Sequence, residues 1–174
     1  MITTTVKEIS AKNISTGVIS DIGLKCHVVD SVFKEHSLAF VDGSYNAKTN
    51  TYGWGGFLVD KFGKKHILQG FGKEPELAKM RNVAGEILGA SAAIQTALKL
   101  GMEKLTIYYD YEGVEKWVTG KWRTQKKGTM DYAALGKSAM KSGLKLYFKH
   151  VKAHSGVPFN EEADNLAKKS VGLG

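Results

Sequence analysis

Cysteine is almost missing from this sequence: Cys26 is the single thiol in 174 residues. One cysteine closes no internal disulfide and builds no multi-cysteine zinc site, so nothing indicates an oxidising compartment. Long apolar runs are missing too, none approaching membrane-spanning length. The opening Met-Ile-Thr-Thr-Thr-Val-Lys-Glu holds no apolar stretch of the signal-peptide kind. No internal repeat or low-complexity tract interrupts the chain. These absences predict a cytoplasmic protein with no membrane partner, and the length fits one domain with a substantial core and residues to spare at one end.

Negative charge is the other shortage. Asp and Glu number 17 against 25 Lys and Arg, a net charge of +8. The imbalance is local: between Gly113 and Ala153, ten Lys and Arg stand against two acidic residues, Glu115 and Asp131. A basic lobe beside an acidic pocket suits a metal-dependent enzyme acting on a polyanion. Read alone, the same stretch equally suits a solvated basic face.

Apolar periodicity places the elements. Residues 37–45 predict a strand with Leu38, Phe40 and Asp42 on one face and Ala39 and Val41 on the other. Residues 52–60 and 64–71 predict a hairpin around Lys61-Phe62-Gly63, and short connections imply antiparallel pairing. A helix is expected from Val83 to Leu100, its inner face formed by Val83, Ile87, Ala90, Ile94, Ala97 and Leu98, with Gly101 as the stop. A strand over 104–110, a helix from Tyr111 to Gly120 and another over 129–142 follow. Strand 144–151 and a helix from Pro158 to Ser170 complete the set, with Pro158 suited to a first helical position. The pattern βββαβααβα implies an α/β fold with a mixed sheet: an antiparallel hairpin region, then parallel strands reached by right-handed crossovers. Residues 1–36 show apolar pieces without a clear period and read as an amino-terminal extension of unknown role, preceding a domain over 37–174.

Four carboxylates carry the chemistry. Asp42 ends the apolar strand Leu-Ala-Phe-Val-Asp-Gly-Ser, Glu86 lies in the helical run Asn-Val-Ala-Gly-Glu-Ile, Asp110 ends Leu-Thr-Ile-Tyr-Tyr-Asp, and Asp164 lies in the last helix. A buried, unpaired charge costs on the order of several kcal/mol, so something cationic should compensate. Hard divalent cations such as Mg²⁺ take oxygen ligands and keep part of their water shell. Taken singly, Asp42 could form an Asx-turn, Glu86 could be a solvated helix residue, and Asp110 could cap the helix expected at Tyr111. Asp164, seven residues into its helix, is too late to cap it.

The order of motifs resembles the type 1 ribonuclease H family over roughly residues 37 to 171. It rests on Asp42-Gly43-Ser44 in the first strand, Asn82 four residues before Glu86, Asp110 after the fourth strand, Lys-x-His-x-Gly at 152–156 and Asn-x-x-Ala-Asp-x-Leu-Ala at 160–167. The resemblance implies a ribonuclease H-like fold with a five-stranded mixed sheet, order 3-2-1-4-5, flanked by helices. It also implies two Mg²⁺ ions bound with substrate (Mn²⁺ expected to substitute). Asp42 would be the shared ligand, Glu86 and Asp110 would serve the leaving-group ion, and Asp164 the water-activating ion. His154 matches a family histidine that assists product release or proton traffic. His27, His36, His66 and His150 lack such a context and read as structural or surface residues.

The implied activity is hydrolysis of the RNA strand of RNA–DNA hybrids, by a monomer, to 5′-phosphate and 3′-hydroxyl products. By resemblance, Asn82 contacts substrate in the minor groove, Gly43 and Ser44 bring backbone amides to the RNA strand, and Arg81 stands where relatives place a phosphate-binding Thr or Ser. The segment from Trp117 to Lys127 replaces a longer basic helix of some relatives. It is expected to form a compact basic loop gripping the DNA strand through Lys121, Arg123, Lys126 and Lys127, with Trp122 against a sugar and Trp117 in the core. Another nuclease of the same fold, a junction resolvase or an exonuclease, is disfavoured by the Lys-x-His-x-Gly and Asn-x-x-Ala-Asp elements. A catalytically silent hybrid-binding module is disfavoured because all four carboxylates are present.

Overall fold

The computed structural model describes residues 36–152, 156 and 158–174. Residues 1–35 of the expected amino-terminal extension and His154 lie outside the described residues, while His36, assigned to that extension, opens the first strand instead. Five strands and five helices follow in order: β1 (His36–Asn46), β2 (Thr51–Val59), β3 (Lys65–Gly72), α1 (Pro75–Ala78), α2 (Asn82–Lys99), β4 (Lys104–Tyr109), α3 (Gly113–Thr119), α4 (Lys127–Lys141), β5 (Lys145–His150) and α5 (Pro158–Ser170). The sheet order is β3-β2-β1-β4-β5. Strands β1–β3 pair antiparallel, and β4 joins β1, and β5 joins β4, in parallel. The expected mixed α/β sheet is therefore the one observed, with β1 at its centre.

Most bounds differ from the sequence reading by a residue at most, but one helix was not expected and two helix starts lie two residues away. The four-residue helix α1 was not expected, because a single turn is too short to show a period. Helix α3 begins at Gly113, with Glu112 at its N-cap, rather than at Tyr111. A side chain on Gly113 would collide with the Tyr111 and Trp117 rings, so the turn closes only once those rings are placed. Helix α4 starts at Lys127 instead of 129, since Thr129 Oγ1 accepts the Lys126 amide (3.3 Å) and donates back to the Lys126 carbonyl (2.9 Å). The stops are as expected: Gly101 (φ +70°) and Gly120 (φ +82°) adopt the left-handed conformation that ends a helix.

Alternation in β1 divides the core. Ala39 and Val41 face α2, where they join Leu105, Ile107, Ile87, Ile94 and Tyr132 in one buried cluster. On the opposite face Phe40 stacks on Tyr108 (4.5 Å, 10°) and meets Phe159 of α5 edge-on (5.4 Å). Helix α2 buries Ala84, Gly85, Gly89, Ala90, Ala93 and Ala97, a stripe of small residues that brings its backbone close to the sheet. Leu98 stays exposed, contrary to expectation, because the stripe is centred on these small residues one position away. Helix α5 is clamped by three contacts. Lys65 is buried 4.5 Å above the Phe57 ring and ion-pairs with Glu162, while Gln69 donates to the Leu166 carbonyl (2.9 Å). Gly55 lets the α5 backbone at Leu166 and Ala167 lie directly on β2.

Candidate active site

The site forms where β1, β4 and α2 meet. Phe40 is level with Tyr108 in the parallel pairing, so two residues further on Asp42 comes level with Asp110. Glu86 reaches them from α2 through glycine contacts. A Cβ on Gly43 would overlap the Asn82 carbonyl and the Glu86 amide, and one on Gly85 would overlap the Gly53 carbonyl and the Gly43 backbone. Because these positions lack side chains, the first turn of α2 rests on β1 and β2. Oxygen atoms of Asp42, Glu86 and Asp110 all lie within 4.8 Å of one another.

Burial makes this closeness expensive. Asp42 is 6% exposed and Glu86 3%. Burial, then the charges of Asp110 and Asp164, push the Asp42 carboxyl up to about 7, against relief from Glu86 and from the Gly43 amide. Burial, then the charges of Asp42 and Asp110, push Glu86 well above the usual carboxylate range. The hydrogen bond between the two side chains pushes Glu86 further up and relieves Asp42. Glu86 Oε2 has no hydrogen-bond partner although fully buried. An orphaned buried oxygen beside two further carboxylates is an all-oxygen donor set of the kind hard cations take, so the residues fit a divalent metal.

Asp164 stands apart from this trio. It projects from α5, half-buried, near enough to raise the Asp42 carboxyl, yet its Oδ2 is held by Lys168 Nζ at 2.9 Å. Of the four expected carboxylates, Asp42, Glu86 and Asp110 form the close group, and Asp164 acts on Asp42 only through its charge. Asp110 does not cap α3, whose N-cap is Glu112. His150 Nε2 lies 3.0 Å from the Asp110 carbonyl oxygen, a supporting contact that fits its structural reading. His66 pairs with Asp60 (2.9 Å), which also accepts the Phe62 and Lys64 amides in the β2–β3 turn.

The expected substrate residues divide between the rim and the interior. Asn82 opens α2 and is exposed, one turn from Glu86, with Arg81 before it at φ +54° and its guanidinium 5.5 Å from the Tyr45 ring centre. The Gly43 amide is engaged, donating to Asp42 Oδ1 (2.9 Å), and Ser44 is buried opposite Gly53. Lys121, Arg123 and Lys126 lie exposed on the connection from α3 to α4. Lys127 belongs instead to α4 and pairs with Asp131 at 2.7 Å. Trp122 packs on Trp117 (5.5 Å) and Tyr111 (6.2 Å), with Lys116 Nζ 5.3 Å from its ring centre. Trp117 packs against the core, as expected.

Two residues escaped the sequence reading. Tyr111, next to Asp110, lies close enough to Glu86 for that charge to help raise its hydroxyl above the ordinary range, after burial. It lines a cleft of about 350 Å³ with Lys79, Trp117, Arg123 and Lys126, beside the basic connection. Its position directly after Asp110 was the available signal. Lys168 is the other, and its spacing of four from Asp164 was the signal there.

Comparison with known proteins agrees with this geometry. The family model described as RNase H matches residues 34–171. A ribonuclease H of Rhizobium johnstonii is 31% identical over 147 residues, covering 79% of this chain and 92% of that protein. The N-terminal RNase H domain of a Mycobacterium tuberculosis protein superposes with a TM-score of 0.62 at 17% identity, covering 77% of this chain and 91% of that one. LC11-RNase H1, solved in complex with an RNA/DNA hybrid, superposes with a TM-score of 0.58 at 15% identity, covering 77% and 98%. With its sheet order, its carboxylate group and this match, the chain belongs to the RNase H family.

Proposed function

We propose that this protein is an endonuclease that hydrolyses the RNA strand of RNA–DNA hybrids with the help of divalent cations, Mg²⁺ by preference and Mn²⁺ as a substitute. The observation that carries the reading is the group of buried Asp42 and Glu86 with half-buried Asp110, with oxygens within 4.8 Å and Glu86 Oε2 unpartnered. These three residues would hold the cations, with Asp164 at their edge. Bound there, divalent ions supply Lewis-acid chemistry at the scissile phosphodiester.

The protein's own residues do the rest. Asp42 and Glu86, both raised by burial, would release protons as cations bind, which ties occupancy to pH. Lys121, Arg123 and Lys126 neutralise phosphates of the DNA strand, which gives affinity without sequence preference. Tyr111 and its cleft guide that strand past the carboxylates. Asn82, exposed at the start of α2 one turn before Glu86, would read the 2′-hydroxyl that separates RNA from DNA. His154 would serve product release. Water attacks phosphorus and the bond to the 3′ oxygen breaks, leaving a 3′-hydroxyl and a 5′-phosphate. The protein would act as a monomer in the cytoplasm, on RNA primers and R-loops.

The test is a substrate panel: labelled RNA–DNA hybrid, double-stranded RNA, double-stranded DNA and single-stranded RNA, each with and without Mg²⁺. Cutting confined to the hybrid, dependent on metal and abolished by Asp42→Asn, is the expected result. Cutting of double-stranded DNA would point to a resolvase. Hybrid binding without cutting would make the chain a silent module.

A further inference from the structure

Helix α5 packs on β1, β2 and β3, and the β4–β5 half of that sheet face carries a different kind of side chain. Lys145 is level with Lys104, Tyr147 with Thr106 and Lys149 with Tyr108, and these lie level with His36, Leu38 and Phe40 in turn. Residues level with one another share a side of the sheet, so Lys145, Tyr147 and Lys149 point the same way as Phe40. Leu146 and Phe148 point the other way, into the core. All three outward residues are exposed, Tyr147 by 46%. The His36 ring leans on Tyr147 at 5.3 Å and 56°. Among the described residues neither Lys145 nor Lys149 pairs with a carboxylate, unlike Lys116, Lys127 and Lys168.

The row begins beside the candidate active site. Lys149 precedes His150, whose Nε2 lies 3.0 Å from the Asp110 carbonyl oxygen. From Lys149 the row runs back along β5 for about 13 Å to Lys145, away from the carboxylates. Because β5 is an edge of the sheet, its lysines also deter pairing with another chain. That role gives no purpose to an exposed ring between them. A ring flanked by two ammonium groups suits a single strand of nucleic acid: the cations meet phosphates, and the ring meets the face of any base.

We propose that Lys149, Tyr147 and Lys145 form a docking track for single-stranded RNA, the part of the RNA strand that runs on beyond the hybrid. The inference rests on the hybrid-cutting reading, in which the strand at the carboxylates is RNA and the α3–α4 connection takes the DNA. A tail leaving beside Asp110 is then RNA. Tyr147 stacks one base while the two ammonium groups neutralise phosphates on either side of it. The track favours hybrids whose RNA outruns its DNA partner.

The experiment is fluorescence anisotropy with the full chain in Ca²⁺. It compares a blunt hybrid with the same hybrid carrying a short single-stranded tail of RNA or of DNA, at either end. Wild type should bind one RNA-tailed hybrid about five- to tenfold more tightly than the blunt one, the low end of what a stacked base contributes. Tyr147→Ala should remove this gain, and Tyr147→Trp should keep it. Lys145→Gln combined with Lys149→Gln should shrink the gain and lower its salt slope by up to about 1.4, the share of two single-strand phosphates. A wild type indifferent to the RNA tail overturns the proposal, as does a Tyr147→Ala loss equal for tailed and blunt hybrid. A larger gain from the DNA tail overturns the assignment to RNA. If the double lysine variant self-associates on gel filtration with its tail gain intact, the lysines only guard the edge and the track is overturned. A wild type that leaves blunt hybrid uncut in Mg²⁺ overturns the hybrid-cutting reading itself, and the track with it. Circular dichroism melts show that each variant is folded.

Discussion

Asp42 holds its proton in the folded protein up to about pH 7, against an ordinary value of 3.8, because it is buried and faces Asp110 and Asp164. Across that interval the folded state binds a proton that the unfolded chain has released. Unfolding free energy therefore falls as pH rises from about 4 to about 7, by on the order of a few kcal/mol in total, with Glu86 acting in the same sense. In a chelator the thermal midpoint should drop across this window, and Asp42→Asn should flatten the drop. Mg²⁺ should reverse it near pH 7.5 and do little near pH 5, where protons occupy the oxygens that cations need. Melting curves at four or five pH values check all three statements, and a wild-type midpoint that climbs with pH in chelator would contradict them.

At the scale of elements, the site depends on how closely α2 lies on β1 and β2. Gly85 in a helix interior is normally a cost of roughly 0.5–1 kcal/mol relative to Ala. Here the replacement should have the opposite sign, since its methyl group would overlap the Gly53 carbonyl and the Gly43 backbone, neither able to step aside. Gly85→Ala should destabilise by about 1–3 kcal/mol and cut activity by moving Glu86 away from Asp42. Urea unfolding and a cleavage assay on the same variant measure both effects, and a stabilised Gly85→Ala would show that the contact is looser than described. This contact explains why the sequence was only partly legible. Strands and helices announce themselves by period: Leu38, Phe40 and Asp42 alternate, and Ile87, Ala90, Ile94 and Ala97 repeat along one face. A close approach between backbones has no period, so Gly85 passed as one more residue of a helix. The single turn α1 is too short to show a period, and the two-residue delay before α3 depends on ring packing, which leaves no pattern in the chain either. Asp42, Glu86 and Asp110 were legible through the motifs around them. That Asp164 is held by Lys168 was not, because an acidic and a basic residue four apart are ordinary on any helix surface.

Across the whole molecule, charge is divided into a buried acidic pocket and an exposed basic stretch, and the division sets how a polyanion approaches. The +8 excess lies between Gly113 and Ala153, spread over α3, α4, β5 and their connections, while the oxygens of Asp42, Glu86 and Asp110 sit at the end of the sheet. A strand drawn in by the lysines would be repelled at the pocket unless cations fill it, so binding and metal loading should reinforce each other. Each phosphate neutralised by Lys or Arg adds about 0.9 to the slope of log affinity against log salt on B-form DNA. Replacing Lys121, Arg123 and Lys126 together with Ala should therefore lower the slope for hybrid binding by up to about three. Lys127→Ala should lower it far less, because Asp131 already sits 2.7 Å from that ammonium. Fluorescence anisotropy with a labelled hybrid, in Ca²⁺ to prevent cutting and over a series of NaCl concentrations, gives the slopes directly. Equal slopes for wild type and the triple variant would remove the α3–α4 connection from the interface, and the positive charge would then have to act from β5 and its flanks.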